Sequence, residues 1–574
     1  MNAERLLQHY EKIADAPDAI ARLRRFILDL AVRGKLVPQD LKEEPASELL
    51  QRIAKERTRL VKAGEIKNKL ALPSVDGPER PFDIPASWEW VRFANVVDFS
   101  AGRTPSRNDL SFWNNGDHSW VSIADMQDGQ ILTATKESVS DKARARIFGS
   151  APEAPGTILM SFKLTIGKIA RLGVPAFHNE AIISIRPHVS ELDPYLFKVL
   201  PQFARQGDTK GAIKGATLNR DSISNILIPL PPLAEQNRIV AKVDELMGHC
   251  DRLEAAREKR EATRDRLAAA SLARLDAPDP ETFQTDARFA LDTLPALTTR
   301  PDQIKRLRQT ILNLAVRGKL VPQDANDEPA SELLKKIANE KAKLVKAGQL
   351  KKDKAFWDGL PSGPPFATPL NWCWARLQDV FEISRGGSPR PAGDPRFFGG
   401  KTPWITVQEI TKDGDKYLSE TSSGLTDEGV RRSRLIAPGD LLLTNSGATL
   451  GVPKISKIKA CMNDGVAVLR QFHSISLNDF CYIYLQSQTL AFRAVNQGMG
   501  QPNLNTPIIA GWFVPLPPLA EQRRIVAKVD ALMALCNRLE ASLTAAAATR
   551  RRLLDALLTE ALTPDAIHDL EAAQ

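Results

Sequence analysis

Two stretches of the chain carry the same alternation of apolar and polar residues. Residues 515–541 read PLPPLAEQRRIVAKVDALMALCNRLEA and residues 229–255 read PLPPLAEQNRIVAKVDELMGHCDRLEA, 22 of 27 identical, so a shared structural role is implied. In the later copy Ile525, Val529, Leu532, Cys536, Leu539, Leu543 and Ala546 step by four and three in alternation, the seam of a coiled coil. Proline is excluded from helix interiors, so the helices are expected to begin at Leu233 and Leu519 and to run for roughly 40 proline-free residues. At about 1.5 Å per residue, a helix over 233–275 makes a rod roughly 65 Å long. The earlier copy follows the seam through Leu253, then meets Arg257, Arg260 and Arg264 before Leu267. That stretch is expected to be weaker, or to pack against acidic or aqueous surroundings.

A second pattern also occurs twice. Residues 17–40 read PDAIARLRRFILDLAVRGKLVPQD, and 301–324 repeat the phrase at an offset of 284 (301 minus 17). Ile20, Leu23, Ile27 and Leu30 form one apolar stripe, Asp18 is the expected N-cap, and Gly34 is the expected stop before Pro38. A further amphipathic helix is expected over 48–62 and again over 332–346, each ending in Lys-Ala-Gly.

Between these helices lie two blocks, 81–227 and 365–514. Each opens on an expected strand with two tryptophans on one face, Trp88 and Trp90, then Trp372 and Trp374, read as core residues. Each continues with a glycine and proline loop starting at Gly102 or Gly387, a tryptophan in a short strand (Trp120, Trp404) and a cationic cluster. A Pro-Gly turn at Gly156 or Gly439 and a turn asparagine, Asn179 or Asn463, complete the shared landmarks; elsewhere the blocks differ widely. Residues 277–299, polar with several prolines, read as a linker. If the last helix packs on the first as the central helix packs on residues 304–314, the chain closes into a ring with its termini near each other.

The expected fold class is therefore α+β. It comprises two pseudo-two-fold related mixed α/β domains joined by two long antiparallel coiled-coil helical spacers, in a circular repeat organisation. The segments are an N-terminal helical region 1–76, a first block domain 77–230, a central region with a long helix 231–362, a second block domain 363–516 and a C-terminal helix 517–574.

A chain of 574 residues is too long for one core, and 43% hydrophobic content fits a globular protein. No run of about 18 apolar residues suggests a membrane span and no apolar signal core opens the chain, so a cytoplasmic location is expected. The five cysteines lie far apart without CxxC spacing, against zinc and a disulfide framework, and Cys250 and Cys536 take equivalent apolar seam positions. The net charge of +9 permits nucleic-acid binding.

The two tryptophan-led blocks, the two PLPPLAEQxRIVAKVD helices and the AVRGKLVPQD segments together resemble the specificity subunit of type I restriction-modification systems, over nearly the whole chain. The resemblance implies two target-recognition domains, separated by helical spacers, that read a split double-stranded DNA sequence. It implies two modification subunits that carry S-adenosylmethionine and methylate adenine. It also implies restriction subunits, motor-nucleases expected to use ATP and Mg, that join for cleavage. Half-sites one helical turn apart are about 34 to 36 Å from each other, a span such a rod can bridge. The alternatives are a specificity subunit of another multi-subunit methylation or phage-defence system, a coiled-coil scaffold whose blocks bind protein, and a self-contained nuclease or methyltransferase, which the missing motifs disfavour.

The chain is expected to do no chemistry itself and to hold no metal or cofactor. An amino-methyltransferase needs Asp, Asn or Ser before Pro-Pro-aromatic, whereas Gly363 stands before Pro364, Pro365 and Phe366. Gly498 and Gly500 lack the strand-then-helix context of a nucleotide loop, and Gly167 with Lys168 is no P-loop. Arginine suits guanine and Asn or Gln suits adenine. The candidate base readers are therefore Arg103, Thr104, Ser106 and Arg107, with Lys210 and Lys214 in loop 207–219. In the second block they are Ser388, Arg390 and Arg396, with Gln497, Gln501 and Asn503 in loop 496–505. The clusters Lys142, Arg144, Arg146 and Arg431, Arg432, Arg434 suit phosphates.

Overall fold

In this computed structural model the described residues are all except 1–15, 17, 68–70, 164, 205–209, 213–214, 218, 277–280, 353–362, 474, 476, 496–502 and 563–574. The chain divides into two compact units, Met1–Lys259 with Ala547–Gln574, and Arg260–Ala546.

The first unit begins with helices α1 (Ala19–Val32) and α2 (Ala46–Lys62). The apolar stripe of α1 buries Ile20, Ile27, Ala31 and Val32. Asp18 precedes the helix but does not cap it with its side chain. Its backbone is left-handed at φ 58, where a capping side chain needs the extended region, and its carboxylate instead faces Arg22 at 3.3 Å and Arg551 at 3.7 Å. Strands follow as β1 (Glu89–Arg92), β2 (Val97–Ala101), β3 (Trp113–Val121), β4 (Gln130–Leu132), β5 (Glu137–Val139) and β6 (Ile158–Ser161). Next come β7 (Ile169–Leu172), β8 (Ala176–His178), β9 (Ile182–Pro187), helix α3 (Asp193–Ala204), the hairpin β10 (Lys210–Ala212) and β11 (Gly215–Thr217), and β12 (Leu227–Leu230).

One sheet has the order β2-β9-β6-β7-β4 and a smaller one β5-β3-β8, while β1 pairs with β12 where the block opens and closes. β4 runs parallel to β7 and β3 parallel to β8; the other pairs are antiparallel. The core draws Ile27 and Leu49 from the short helices, Trp88 and Trp90 from the block entrance, Ile183 and Ile185 from β9, and Leu196 from α3. Burial of each such side chain is worth about 1.5–3 kcal/mol.

The long helix α4 (Leu233–Asp276) starts at the predicted residue, after Pro231 and Pro232. Residues 277–280 lie outside the described set. The rest of the expected linker contains α5 (Phe283–Leu297), whose Ala290 is buried against Leu272 and Leu275. A helix therefore stands where a linker is expected, because its apolar partner at the end of α4 outweighs the prolines.

The second unit repeats the plan with α6 (Pro301–Val316), α7 (Ala330–Lys346), β13 (Cys373–Arg376), β14 (Glu382–Arg385), β15 (Phe398–Ile405), β16 (Tyr417–Leu418), β17 (Gly424–Leu425) and β18 (Arg434–Ile436). It continues with β19 (Leu441–Thr444), β20 (Pro453–Ser456), β21 (Ala460–Met462), β22 (Val466–Arg470), α8 (Asn478–Ser487), β23 (Phe513–Leu516) and α9 (Leu519–Leu562). Its sheets, β14-β22-β19-β20-β16 and β17-β15-β21-β18, match those of the first unit strand for strand, with β18 added at one edge.

Each unit binds its long helix with the same polar pin. The Glu235 carboxylate, 1% exposed, accepts from Trp88 Nε1 at 2.8 Å and Gln39 Nε2 at 2.5 Å. The Glu521 carboxylate accepts from Trp372 Nε1 at 2.9 Å and Gln323 Nε2 at 2.6 Å. Burial raises both carboxyls above the ordinary range, although these bonds pull the other way. The pin explains the repeated phrases, because each AVRGKLVPQD segment supplies the glutamine and each PLPPLAEQ the glutamate. Arg24 reaches Asp251 at 2.6 Å and Glu254 at 2.7 Å, as Arg308 reaches Asn537 at 2.7 Å and Glu540 at 2.6 Å.

The seam of the long helices is put to a different use from that expected over its first part. Ile239, Val243 and Cys250 are buried in the core of the first unit, and Ile525, Val529 and Cys536 in that of the second. Leu539, further along the seam, stays 36% exposed. The spacing thus records packing on the unit's own block. Within the first unit Ala16 and Ala19 pack on Leu554 and Leu557 of α9. Arg257, one of the arginines interrupting the seam, donates to the Ala16 carbonyl at 3.2 Å, and Arg264 pairs with Glu261 at 2.7 Å.

Candidate nucleic-acid interface

In each block the loop leaving β2 or β14 crosses the turn before β9 or β22 at very close range. A Cβ on Gly102 would lie 1.9 Å from the His178 carbonyl oxygen, and one on Gly386 2.0 Å from that of Asn463, so both positions require glycine. Backbone bonds match the two: Gly102 N donates to Ile182 at 3.1 Å and Arg103 N to His178 at 2.9 Å, as Gly386 N does to Val466 at 2.9 Å and Gly387 N to Met462 at 3.1 Å. The counterpart of Gly102 is therefore Gly386, one residue before the Gly387 of the sequence reading.

This register makes Thr104 and Ser388 equivalents, and each hydroxyl is spent on an acid beside the turn asparagine. Thr104 Oγ1 donates to Glu180, and Ser388 Oγ donates to Asp464 Oδ1 at 2.6 Å. The arginine further along each loop lies near an acid as well. Arg107 stacks on the Trp113 ring at 3.8 Å and pairs with Glu137, while Arg390 stands 3.8 Å from Asp464. Arg103 donates to the Ile147 carbonyl at 2.5 Å, and its own carbonyl accepts from Trp120 Nε1 at 3.1 Å. Ser106 is exposed, its carbonyl accepting from Trp113 Nε1 at 2.9 Å. His178, at the turn, is buried, which lowers its pKa, and its Nδ1 faces the Ile182 carbonyl at 3.1 Å.

The cationic clusters sit on one shared device. Asp109 and Asp394 each begin a tight turn three residues before a phenylalanine, Phe112 or Phe397, and hold a cation over that ring. In the first block Lys142 Nζ lies 5.0 Å from the Phe112 ring and 3.6 Å from Asp109. In the second, Arg396 and Arg432 lie 5.2 Å and 4.6 Å from the Phe397 ring, held by Asp394 at 2.7 Å and Glu428 at 3.8 Å. Two short helices, Asp141–Ala143 carrying Lys142 and Asp427–Arg431 just before Arg432, are capped alike, by Ser140 Oγ on Ala143 N and Thr426 Oγ1 on Gly429 N, both 3.2 Å. Arg144 and Arg146, and Arg431 and Arg434, are exposed without an ion pair among the described residues.

The candidates thus divide by their partners. Thr104, Ser388, Arg103, Arg107, Arg396, Lys142 and Arg432 are engaged with protein groups, whereas among the described residues Arg144, Arg146, Arg431 and Arg434 have no ion pair, and Arg390, 72% exposed along its side chain, meets only Asp464 at 3.8 Å. Lys210 lies in the β10–β11 hairpin, and Asn503 bridges to Ser446. Lys214, Gln497 and Gln501 lie outside the described residues. The acids Asp109, Glu137, Glu180, Asp394 and Asp464 were missed from sequence. The one signal for two of them was that Asn179 and Asn463 are both followed by an acid. Among the described residues no group of three or more His, Cys, Asp or Glu could hold a metal, and no helix is long and apolar enough to cross a membrane.

The duplicated scaffold with two unlike basic faces defines a class of two-block recognition proteins. The family model for the type I restriction modification DNA specificity domain matches residues 85–264 and 369–547, and the chain belongs to that family. It is 32% identical to the type I restriction enzyme EcoAI specificity subunit of Escherichia coli, over 95% of this chain and 94% of the relative. It is also 32% identical to the EcoEI specificity subunit of Escherichia coli, over the same shares. A solved chain from work on complex assembly and conformational transition of the type I R-M system is 21% identical with a TM-score of 0.49, covering 84% of this chain and all (100%) of that one.

Proposed function

We propose that this chain is the non-catalytic DNA-reading subunit of a type I restriction-modification complex, each block reading one half of a bipartite duplex target. One observation carries the reading: the frame repeats its strand order and its Glu235 and Glu521 pins, while the exposed faces it presents differ. A repeated frame with unlike faces suits two different half-sites. Arg144, Arg146, Arg431 and Arg434 meet phosphates, and the loops beginning at Gly102 and Gly386 meet base edges.

The helices α4 and α9, 44 residues or about 66 Å each, set the unread gap as an antiparallel pair of spacers. The shared stretches 229–255 and 515–541 offer near-equivalent docking sites for two modification subunits, which bring S-adenosylmethionine, and the complex admits restriction subunits that use ATP and Mg. The test is a block exchange. Replacing residues 81–227 by a relative's block, with the cognate methyltransferase present and the methylome sequenced, changes one half of the methylated sequence. A change in both halves overturns the reading.

A further inference from the structure

Resting on that reading, we propose that Glu180 and Asp464 are positioning residues for sequence discrimination, each latching its recognition loop through the hydroxyl of Thr104 or Ser388. An acid on a face that meets phosphates is unfavourable by charge alone, yet both blocks place one at the same turn, next to Asn179 or Asn463. The blocks differ widely around it. What they share is the bond: Thr104 Oγ1 to Glu180, and Ser388 Oγ to Asp464 Oδ1 at 2.6 Å, with Asp464 N returning a bond to Ser388 Oγ at 3.2 Å.

The latch is the second of two anchors. The first is the close crossing at Gly102 or Gly386, which fixes where the loop leaves its strand. The hydroxyl bond two residues later fixes its direction, and the loop arginine follows, Arg107 on the Trp113 ring and Arg390 beside Asp464. A loop held at both points cannot rearrange around a mismatched base pair. A loop held only at its glycine can, and then wrong sequences are penalised less. The acids act through the loop and touch no base in this account.

The test uses the full chain in complex with its methyltransferase and duplexes carrying the methylome-determined target, with single base-pair changes in either half. Thr104→Val removes the hydroxyl at constant shape and is expected to cut discrimination at the first half-site about tenfold, one base contact's worth, with the second half-site unchanged. Ser388→Ala is expected to do the reverse. Glu180→Ala and Asp464→Ala, which leave the hydroxyls in place, are expected to lose discrimination at the same half-site as Thr104→Val and Ser388→Ala respectively, and retained discrimination in these two would make the hydroxyl a direct base contact and overturn the latch. Unchanged discrimination in Thr104→Val and Ser388→Ala overturns the proposal, as does an equal loss at both half-sites. If the unaltered complex itself fails to distinguish the two halves, the failure belongs to the bipartite reading and not to the latch.

Discussion

The pins at Glu235 and Glu521 and the faces around Phe112 and Phe397 are both duplicated, but to different standards. At the pins the same three residue types recur with bond lengths that agree within a tenth of an ångström, 2.8 and 2.9 Å from tryptophan and 2.5 and 2.6 Å from glutamine. At the faces only the logic recurs. An acid holds a cation over a phenylalanine, but the cation is one lysine in the first block and two arginines in the second. Buried polar groups tolerate no substitution that leaves a donor unpaired, whereas an exposed cation needs only charge and reach. The difference between burial and exposure is what lets one frame carry two unlike faces.

The hardest blow to that comparison is to the pins. Glu235→Ala leaves Trp88 Nε1 buried without an acceptor and is expected to cost about 3 kcal/mol by urea unfolding, with Glu521→Ala costing about the same. Unequal costs would show that the two pins are alike only in appearance. A middling effect is expected at the faces. Replacing Arg144 and Arg146 by Ala, or Arg431 and Arg434 by Ala, should weaken binding to all duplexes alike and reduce the slope of log affinity against log salt by about two units, because two phosphate partners are lost. A sequence-dependent loss would move these arginines from phosphates to bases.

The smallest effect concerns pH. Glu235 and Glu521 have folded pKa values raised by burial, so their contribution to stability is fully present below the ordinary carboxyl pKa and lost as pH rises through the folded value. Glu235→Gln keeps the shape and removes the titration. It should flatten the decline of stability from about pH 4.5 upward, measured by thermal unfolding across a pH series. A decline as steep as that of the unaltered chain would mean that the charge on Glu235 is not the titrating group.

Much of the frame was legible in the sequence because its signals are local. Prolines marked the starts of α4 and α9 to the residue, and Gly34 and Gly318, both at φ 68, ended α1 and α6 as the repeats implied. Local signals also misled. Asp18 has the right identity for a cap, but two arginines hold its carboxylate, and the prolines near α5 hid a helix stabilised by contact with α4. The site was less legible because its partners are distant in sequence. Thr104 and Glu180 are 76 residues apart, as are Ser388 and Asp464, and no periodicity connects a hydroxyl to an acid across six or seven intervening strands. The seam of α9 was read as that of a coiled coil, whereas Ile525, Val529 and Cys536 pack in the domain core, because apolar spacing alone cannot say whether a helix's partner is a second helix or a domain core.

The way α9 is divided has a consequence for how the chain is made. Residues from Ala547 onward belong to the first unit, while the whole of Arg260–Ala546 belongs to the second. On the ribosome the second unit is therefore an uninterrupted run that can be finished first. The first unit's main core, drawn wholly from residues 20–250, emerges earliest, but Ala16 and Ala19 stay uncovered until the last helical turns arrive. Synthesis order and completion order are reversed.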